Sequence, residues 1–170
     1  MSEPDSPMSF TLRPATADDL ATVTELLMAA HLAPNALDAQ FGPQFAVALD
    51  DGSGRVIGAA GVELYDGEGE TVGLFRSAVV DDAWRGRGVG AALTHDRLLW
   101  AEHCALRAVF LLTETAAEYW PRFGFTPMAR DAAPESLKAS HEWRQGCPTS
   151  AVAMCVLLPR AGPRTARGND

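Results

Sequence analysis

The stretch Arg85-Gly86-Arg87-Gly88-Val89-Gly90 constrains this chain more than any other. It follows an apolar run ending at Val80 and opens an amphipathic pattern over 88–103, with Val89, Ala92, Leu93, Leu99 and Trp100 available for packing. A strand, a glycine loop and a helix in that order bring unpaired backbone N–H groups and the positive end of the helix dipole to the loop. Glycines at 86, 88 and 90 let a ligand approach the backbone, and Arg85 and Arg87 add positive charge. A phosphate, most naturally a pyrophosphate, suits such a place. Taken alone the motif is equally a glycine-rich turn with two solvated arginines; the flanking strand and helix favour the ligand site.

The surroundings predict a mixed α/β fold with a mostly antiparallel sheet. Residues 10–13 alternate as an edge strand does, and Thr16 with Asp18 and Asp19 starts a helix through 31 whose buried face is Leu20, Val23, Leu26 and Leu27. An irregular connection, 33–43, leads to strands at 45–49, 56–65 and 71–80. Asp51-Gly52-Ser53-Gly54 and Asp66-Gly67-Glu68-Gly69 separate these three as turns of an antiparallel meander. After the loop and its helix, the continuous apolar run 108–113 reads as a central strand parallel to the one before the loop. A short helix at 116–123, a strand at 125–128, a polar excursion over 130–149 and a last strand at 151–158 complete a single domain over 10–159. Residues 1–9 and 160–170 read as loose tails.

Two ligand classes compete for the loop. Gly86-x-Gly88-x-x-Ala91 matches the relaxed dinucleotide fingerprint, and Glu114 lies about where a ribose-binding acid would stand. A nicotinamide- or flavin-binding oxidoreductase is therefore one reading. Against it, the loop comes halfway along an antiparallel meander, where too little chain remains for further parallel units. A net charge of −8 argues against binding nucleic acid or an anionic membrane. The three cysteines, Cys104, Cys147 and Cys155, show neither a disulfide framework nor metal-ligand spacing, so no metal and a reducing, cytoplasmic compartment are expected.

Val79-Val80-Asp81 with the Arg85–Gly90 loop resembles the coenzyme A loop of the GNAT N-acetyltransferases, whose pattern is Arg/Gln-x-x-Gly-x-Gly/Ala. Ala116, Phe123, Gly124 and Phe125 are similar to that family's later Asn-x-x-Ala-x-x-Leu-Tyr-x-x-x-Gly-Phe segment. The resemblance implies a sheet splayed between its fourth and fifth strands, with acetyl-CoA as donor and a small-molecule amine attacking directly, without an acyl-enzyme. It implies that backbone groups of Ala78, Val79 and Val80 pair with the pantetheine arm, and that amides from Arg85, Gly86, Arg87, Gly88, Val89, Gly90 and Ala91 hold the pyrophosphate. Thr113 stands where many relatives have an asparagine beside the pantetheine, and Ala116 and Trp120 line the same arm by the same likeness. A homodimer is common in the family. The segments Asp131 to Glu135, Ser140-x-Glu142-Trp143 and Cys147 to Met154, with Leu111-Leu112-Thr113, resemble a small acetyltransferase group associated with arsenic resistance. That likeness points to an amino-acid-like organoarsenical as one acceptor.

Acetyl transfer requires an uncharged amine and a leaving thiolate that is stabilised or protonated. Where many GNATs carry a tyrosine acid this chain has Trp120, with Tyr119 one place earlier and about 100° around a helix. Tyr119 is a candidate acid with aromatic packing as its alternative, and solvent could also supply the proton. An acyl-CoA sensor that binds without transferring is the matching non-enzymatic reading. For the base, Glu63 in Val62-Glu63-Leu64 is the first candidate and Glu114 the second; a solvent-facing carboxylate is the alternative for each. Arg76 and Ser77 interrupt an apolar strand and need partners or a ligand. Arg76 clamps an acceptor carboxylate or arsenical oxyanion, pairs with Glu63 as a structural bridge, or does both. His31, Asn35 and Asp38 are further candidate acceptor contacts.

Overall fold

The structure, a computed structural model, describes residues 7–146 and 148–159. Residues 1–6 of the tail expected at 1–9, the tail expected at 160–170, and Cys147 lie outside those residues. Alternating and continuous apolar runs produce the strands β1 (Phe10–Pro14), β2 (Phe45–Asp50), β3 (Val56–Gly67), β4 (Glu70–Val80), β5 (Ala108–Thr113), β6 (Thr126–Met128) and β7 (Val152–Leu157). Among the described residues they form one sheet in the order β1-β2-β3-β4-β5-β7-β6. The first four make the expected antiparallel meander. Its β3–β4 hairpin turns at Glu68 and Gly69, both with positive φ, 52° and 80°.

β4 and β5 run parallel and pair at Gly73↔Val109 and Leu74↔Phe110. Beyond Leu74 no further pairs join the two strands among the described residues, although β4 continues to Val80 and β5 to Thr113. This is the splay between the fourth and fifth strands.

Helices cover both faces of the sheet. The helix α1 (Leu20–Ala29) sets Val23 and Leu27 against Phe45, Val47, Ala59 and Val79. On the other face α2 (Val89–His103) sets Val89, Leu93 and Ala101 against Ala46, Ile57, Ala60, Val62 and Phe75. Each valine, leucine, isoleucine or phenylalanine among them, fully buried, contributes about 1.5–3 kcal/mol. The face of α2 is narrower than expected, because Leu99 is 59% exposed. β5 is apolar throughout because both its faces are covered: Val109 and Leu111 join the α2 side, Ala108 and Phe110 the opposite side. At Gly61 the ring of Phe45 lies 2.1 Å from where a Cβ would stand, so only glycine fits.

Three expected elements differ. The helix expected over 16–31 is a 3₁₀ turn at Ala17–Asp19 followed by α1, which stops before His31 at φ 58°. There Asp19 accepts the Thr16 N–H at 2.8 Å and pairs with Arg13 at 2.7 Å. The helix expected over 116–123 is reduced to one 3₁₀ turn, Trp120–Phe123, closed by Gly124 at φ 93°. The excursion over 130–149 is not merely polar. It carries a short helix, α3 (Glu135–Lys138), and a π turn at Glu142–Gly146, which press Leu137 and Trp143 onto Val72, Leu74 and Phe110. Two isolated apolar residues show no period, so the sequence pattern does not reveal this packing.

Candidate functional site

The end of β4 is where the ladder breaks. Ala59 pairs with Val79 and Gly61 with Arg76, so Ser77 and Ala78 together stand opposite Ala60. Ser77 takes a left-handed φ of 59°, and this bulge turns the backbone of 77–78 out of the ladder beside the opening to β5. Past Val80 the Asp81 carboxylate caps the next turn, accepting from Ala83 N at 2.9 Å. The loop then passes through Gly86 and Gly88 at φ 74° and 84°. No atom lies within 4 Å of a Cβ built at either glycine, so the approach to their backbone is open. Gly88 is the N-cap of α2 and offers no side-chain cap, which leaves the first amides of the helix to an external acceptor. Arg85 and Arg87 are exposed; Arg85 pairs with Asp82 at 3.1 Å and Arg87 donates to the Ala83 carbonyl at 3.3 Å.

A cleft of about 280 Å³ runs along this edge, from Ala78, Val79 and Val80 to Arg85 and Gly90. Tyr119 and Trp120 wall it from the β5 side. The Tyr119 hydroxyl is 3.5 Å from the position of a Cβ on Gly90, beside the glycine loop, and the Arg122 guanidinium lies 4.4 Å over its ring. Burial raises the Tyr119 pKa, so its hydroxyl keeps its proton. The Trp120 ring stands edge-on to Phe75 at 5.2 Å and to Tyr119 at 5.0 Å, and its buried Nε1 has no hydrogen-bond partner among the described residues.

One bulge away, the opposite face of the sheet holds a buried charge cluster. Glu63 is 3% exposed and Arg76 8%. Arg76 Nη1 lies 3.4 Å from Glu63 Oε2, and its Nη2 lies 3.2 Å from Glu142 Oε1 and 2.7 Å from the Asn35 carbonyl. Its Nε donates to Ser77 Oγ at 3.1 Å. Tyr65 donates to Glu63 Oε1 at 2.9 Å, and Gln40 clamps the backbone of Leu64 between them at 2.7 and 3.0 Å. Burial pushes the Glu63 carboxyl above the usual range and outweighs the opposing pull of Arg76. Burial, with the neighbouring Glu63 charge, raises the Tyr65 phenol as well.

The family model described as Acetyltransferase (GNAT) domain matches residues 42–127, just over half of the 170-residue chain. The chain belongs to the GNAT acetyltransferase family. Solved structures share the fold. Rv2747 from Mycobacterium tuberculosis, in complex with CoA and NLQ, is 23% identical with a TM-score of 0.69, over 88% of this chain and 99% of that one. The Escherichia coli GNAT family N-acetyltransferase YhbS, in complex with CoA, is 23% identical at 0.64, over 93% and 86%. N-acetylglutamate synthase from Neisseria gonorrhoeae, complexed with coenzyme A and N-acetyl-glutamate, is 17% identical at 0.73; the alignment spans 91% of this chain but 36% of that larger one. No curated protein matches the sequence. Nothing in these likenesses separates the arsenic-resistance group from other GNATs.

Within this GNAT domain, the residues singled out from sequence fall in four places. Ala78, Val79, Val80, Arg85, Gly90, Tyr119 and Trp120 line one cleft, with Gly86, Arg87, Gly88 and Ala91 in the adjoining loop and first helical turn. The Val89 side chain faces inward, 1% exposed, so any contact with a phosphate is through its backbone. Thr113 and Ala116 do not line the cleft: the Thr113 hydroxyl accepts from Ala116 N at 3.1 Å and shapes the turn. Glu63, Arg76 and Ser77 meet in the charge cluster. Glu114, His31 and Asp38 are exposed and stand apart from it, while Asn35 enters through its carbonyl. Arg76 is held on every nitrogen, the paired arrangement among those expected. Sequence reasoning missed Tyr65, Gln40 and Glu142. Glu63-x-Tyr65 on one strand face was a readable signal; for Gln40 and Glu142 there was none.

Proposed function

We propose that this GNAT domain moves an acetyl group from acetyl-CoA to the amine of a small molecule, with Glu63 as the proton acceptor. The observation that carries this reading is the β4 bulge. Ala78 on one side of it lines the cleft that leads to the phosphate loop, and Arg76 on the other lies in the buried carboxylate cluster. A donor laid along 78–80 with its phosphates at Gly86–Gly90 would bring its thioester to the opening beside Ser77. The amine nitrogen then bonds to the acyl carbon, the carbon–sulfur bond breaks and its electron pair leaves on sulfur. The proton released by the amine passes toward Glu63, through water because Glu63 itself is buried. Its raised pKa makes Glu63 a stronger base than an exposed carboxylate, and Arg76 with Tyr65 holds it in place. The acceptor class is a small amine, with amino acids, polyamines, peptides and amino-acid-like organoarsenicals as the panel to separate.

Thermal unfolding with added ligands tests the donor. At about 100 times its Kd, coenzyme A should add about 2.7 kcal/mol and raise Tm by about 5–10 °C. Stabilisation by NAD(H) without a response to coenzyme A would sink the reading in favour of an oxidoreductase. Acetyl-CoA-dependent thiol release over the acceptor panel tests the transfer, and tight binding with no release for any amine would make the domain an acyl-CoA sensor.

A further inference from the structure

Arg76 is shared unevenly. Its Nη2 meets the Asn35 carbonyl at 2.7 Å and Glu142 Oε1 at 3.2 Å, its Nε meets Ser77 Oγ, and Glu63 receives one contact, from Nη1 at 3.4 Å. A guanidinium that closes on a carboxylate with its full fork makes two bonds of about 2.7–2.9 Å and holds it ionised. Glu63 escapes that grip because Nη2 is occupied by partners from elsewhere in the chain. The segment bearing Glu142 is anchored independently of Arg76. Trp143 is buried edge-on to Phe110 at 6.4 Å, its Nε1 donates to the Arg130 carbonyl at 3.1 Å, and Arg130 donates back to the Trp143 carbonyl at 2.8 Å. Ser140, also buried, accepts from Trp143 N at 3.2 Å and reaches the Tyr65 phenol. One turn therefore touches both partners of Glu63, Tyr65 through Ser140 and Arg76 through Glu142. A second carboxylate here costs stability, since one guanidinium cannot satisfy two anions as fully as one. An ion pair built for stability alone needs only Arg76 and one of them.

We infer that Glu142 is a positioning residue for Glu63: by drawing Arg76 toward itself it keeps the guanidinium from closing on Glu63 and leaves that carboxylate available for the amine's proton. This rests on the reading of Glu63 as the base of acetyl transfer. Among the described residues, the charged and titratable groups facing Glu63 are Arg76 from β4, Tyr65 from its own strand and Glu142 from the π turn. Burial raises the Glu63 carboxyl, Arg76 and the Tyr65 hydroxyl pull it down, and the Glu142 charge pushes it up again. Without that charge the pull of Arg76 is unopposed by a neighbouring carboxylate, and Glu63 becomes a weaker base.

The test is Glu142→Gln, which keeps an oxygen for Arg76 and removes the charge. Carbon NMR of protein labelled at its glutamate carboxyls reads the Glu63 titration directly, with Glu63→Gln to assign the resonance. Glu63 should titrate above the exposed glutamates in the natural protein and at lower pH in Glu142→Gln. Above that titration the variant should release thiol from acetyl-CoA about three- to tenfold more slowly, with coenzyme A affinity unchanged, because a weaker base takes the proton less readily. An unmoved Glu63 titration in the folded variant would overturn the proposal even if Tm falls, since a merely structural partner changes stability and not the acidity of Glu63. Should Glu142→Gln not fold, Glu142→Asp decides. Its carboxylate is one methylene shorter and draws back from Arg76, so the titration should move the same way by less, and no movement overturns the inference. If the natural protein releases no thiol with any amine, the base role of Glu63 fails and this inference with it. Release with an unmoved titration sinks this inference alone.

Discussion

The two sides of the β4 bulge are built from different materials. Toward the glycine loop, Ala78 to Val80 and the exposed Gly86–Gly88 turn offer backbone groups in a locally determined geometry, and the nearby arginines are solvated. Toward the other face, Glu63, Arg76, Tyr65 and Glu142 offer side chains, mostly buried, each held by partners from separate elements. A ligand recognised through backbone amides tolerates changes of nearby side chains. Chemistry done by a buried carboxylate does not, because each partner sets its charge and position.

The largest effect that would sharpen this contrast is on turnover. Glu63→Gln should slow acetyl-CoA-dependent thiol release about 10²- to 10⁴-fold, the usual range for a lost general base, and leave coenzyme A affinity by calorimetry unchanged. A matching loss of affinity would show that the two sides are not separable. Arg76→Met should cost about 3–5 kcal/mol in denaturant unfolding, since it leaves Glu63 and Glu142 facing each other without their shared cation. Adding Glu63→Gln to it should recover part of the loss, which an independent packing defect would not.

On the backbone side, Gly88→Ala meets no atom within 4 Å but must hold φ 84°, so about 1–2 kcal/mol of stability and a measurable part of coenzyme A affinity should go. Arg85→Ala should do less: under about 1 kcal/mol of coenzyme A affinity, fading as salt is added, because the side chain is exposed and already paired with Asp82. A larger, salt-insensitive loss would mean that side chains carry the phosphate site after all.

The smallest effect is on the pH dependence of stability. Folded Glu63 holds its proton more tightly than the unfolded chain does. Its contribution is therefore fully present below the unfolded carboxylate range and is lost as pH rises through the raised folded pKa. Asp19, lowered first by its hydrogen bond to Arg13, runs the other way, contributing above the usual carboxylate range and losing that as pH falls. The difference in Tm between the natural protein and Glu63→Gln should narrow or reverse across that rise. A flat difference would mean that Glu63 is not shifted by burial.

Legibility followed sequence distance. The meander, the parallel β5 and the glycine loop could be read because each rests on neighbouring residues: an apolar period, a turn, a strand running into a helix. Glu63 and Arg76 were readable as a pair because they lie 13 residues apart on the two arms of one hairpin. The segment 130–149 was read as polar, yet it supplies Glu142 and the Leu137–Trp143 patch, and nothing in its local pattern says that it folds back over β4. Tyr119 and Trp120 were both picked out, but how they sit against the cleft depends on a turn much tighter than the helix expected there.

The sequence by itself thus determined the fold around the glycine loop, because a loop between strand and helix makes its geometry from its own backbone, whatever surrounds it. Tertiary structure alone decided the buried charge cluster. A one-residue slip in the β3–β4 register, the depth of burial around Glu63 and the return of Glu142 from a distant segment set the partners and the charge state there. Those depend on how the sheet faces are covered, which local pattern does not encode.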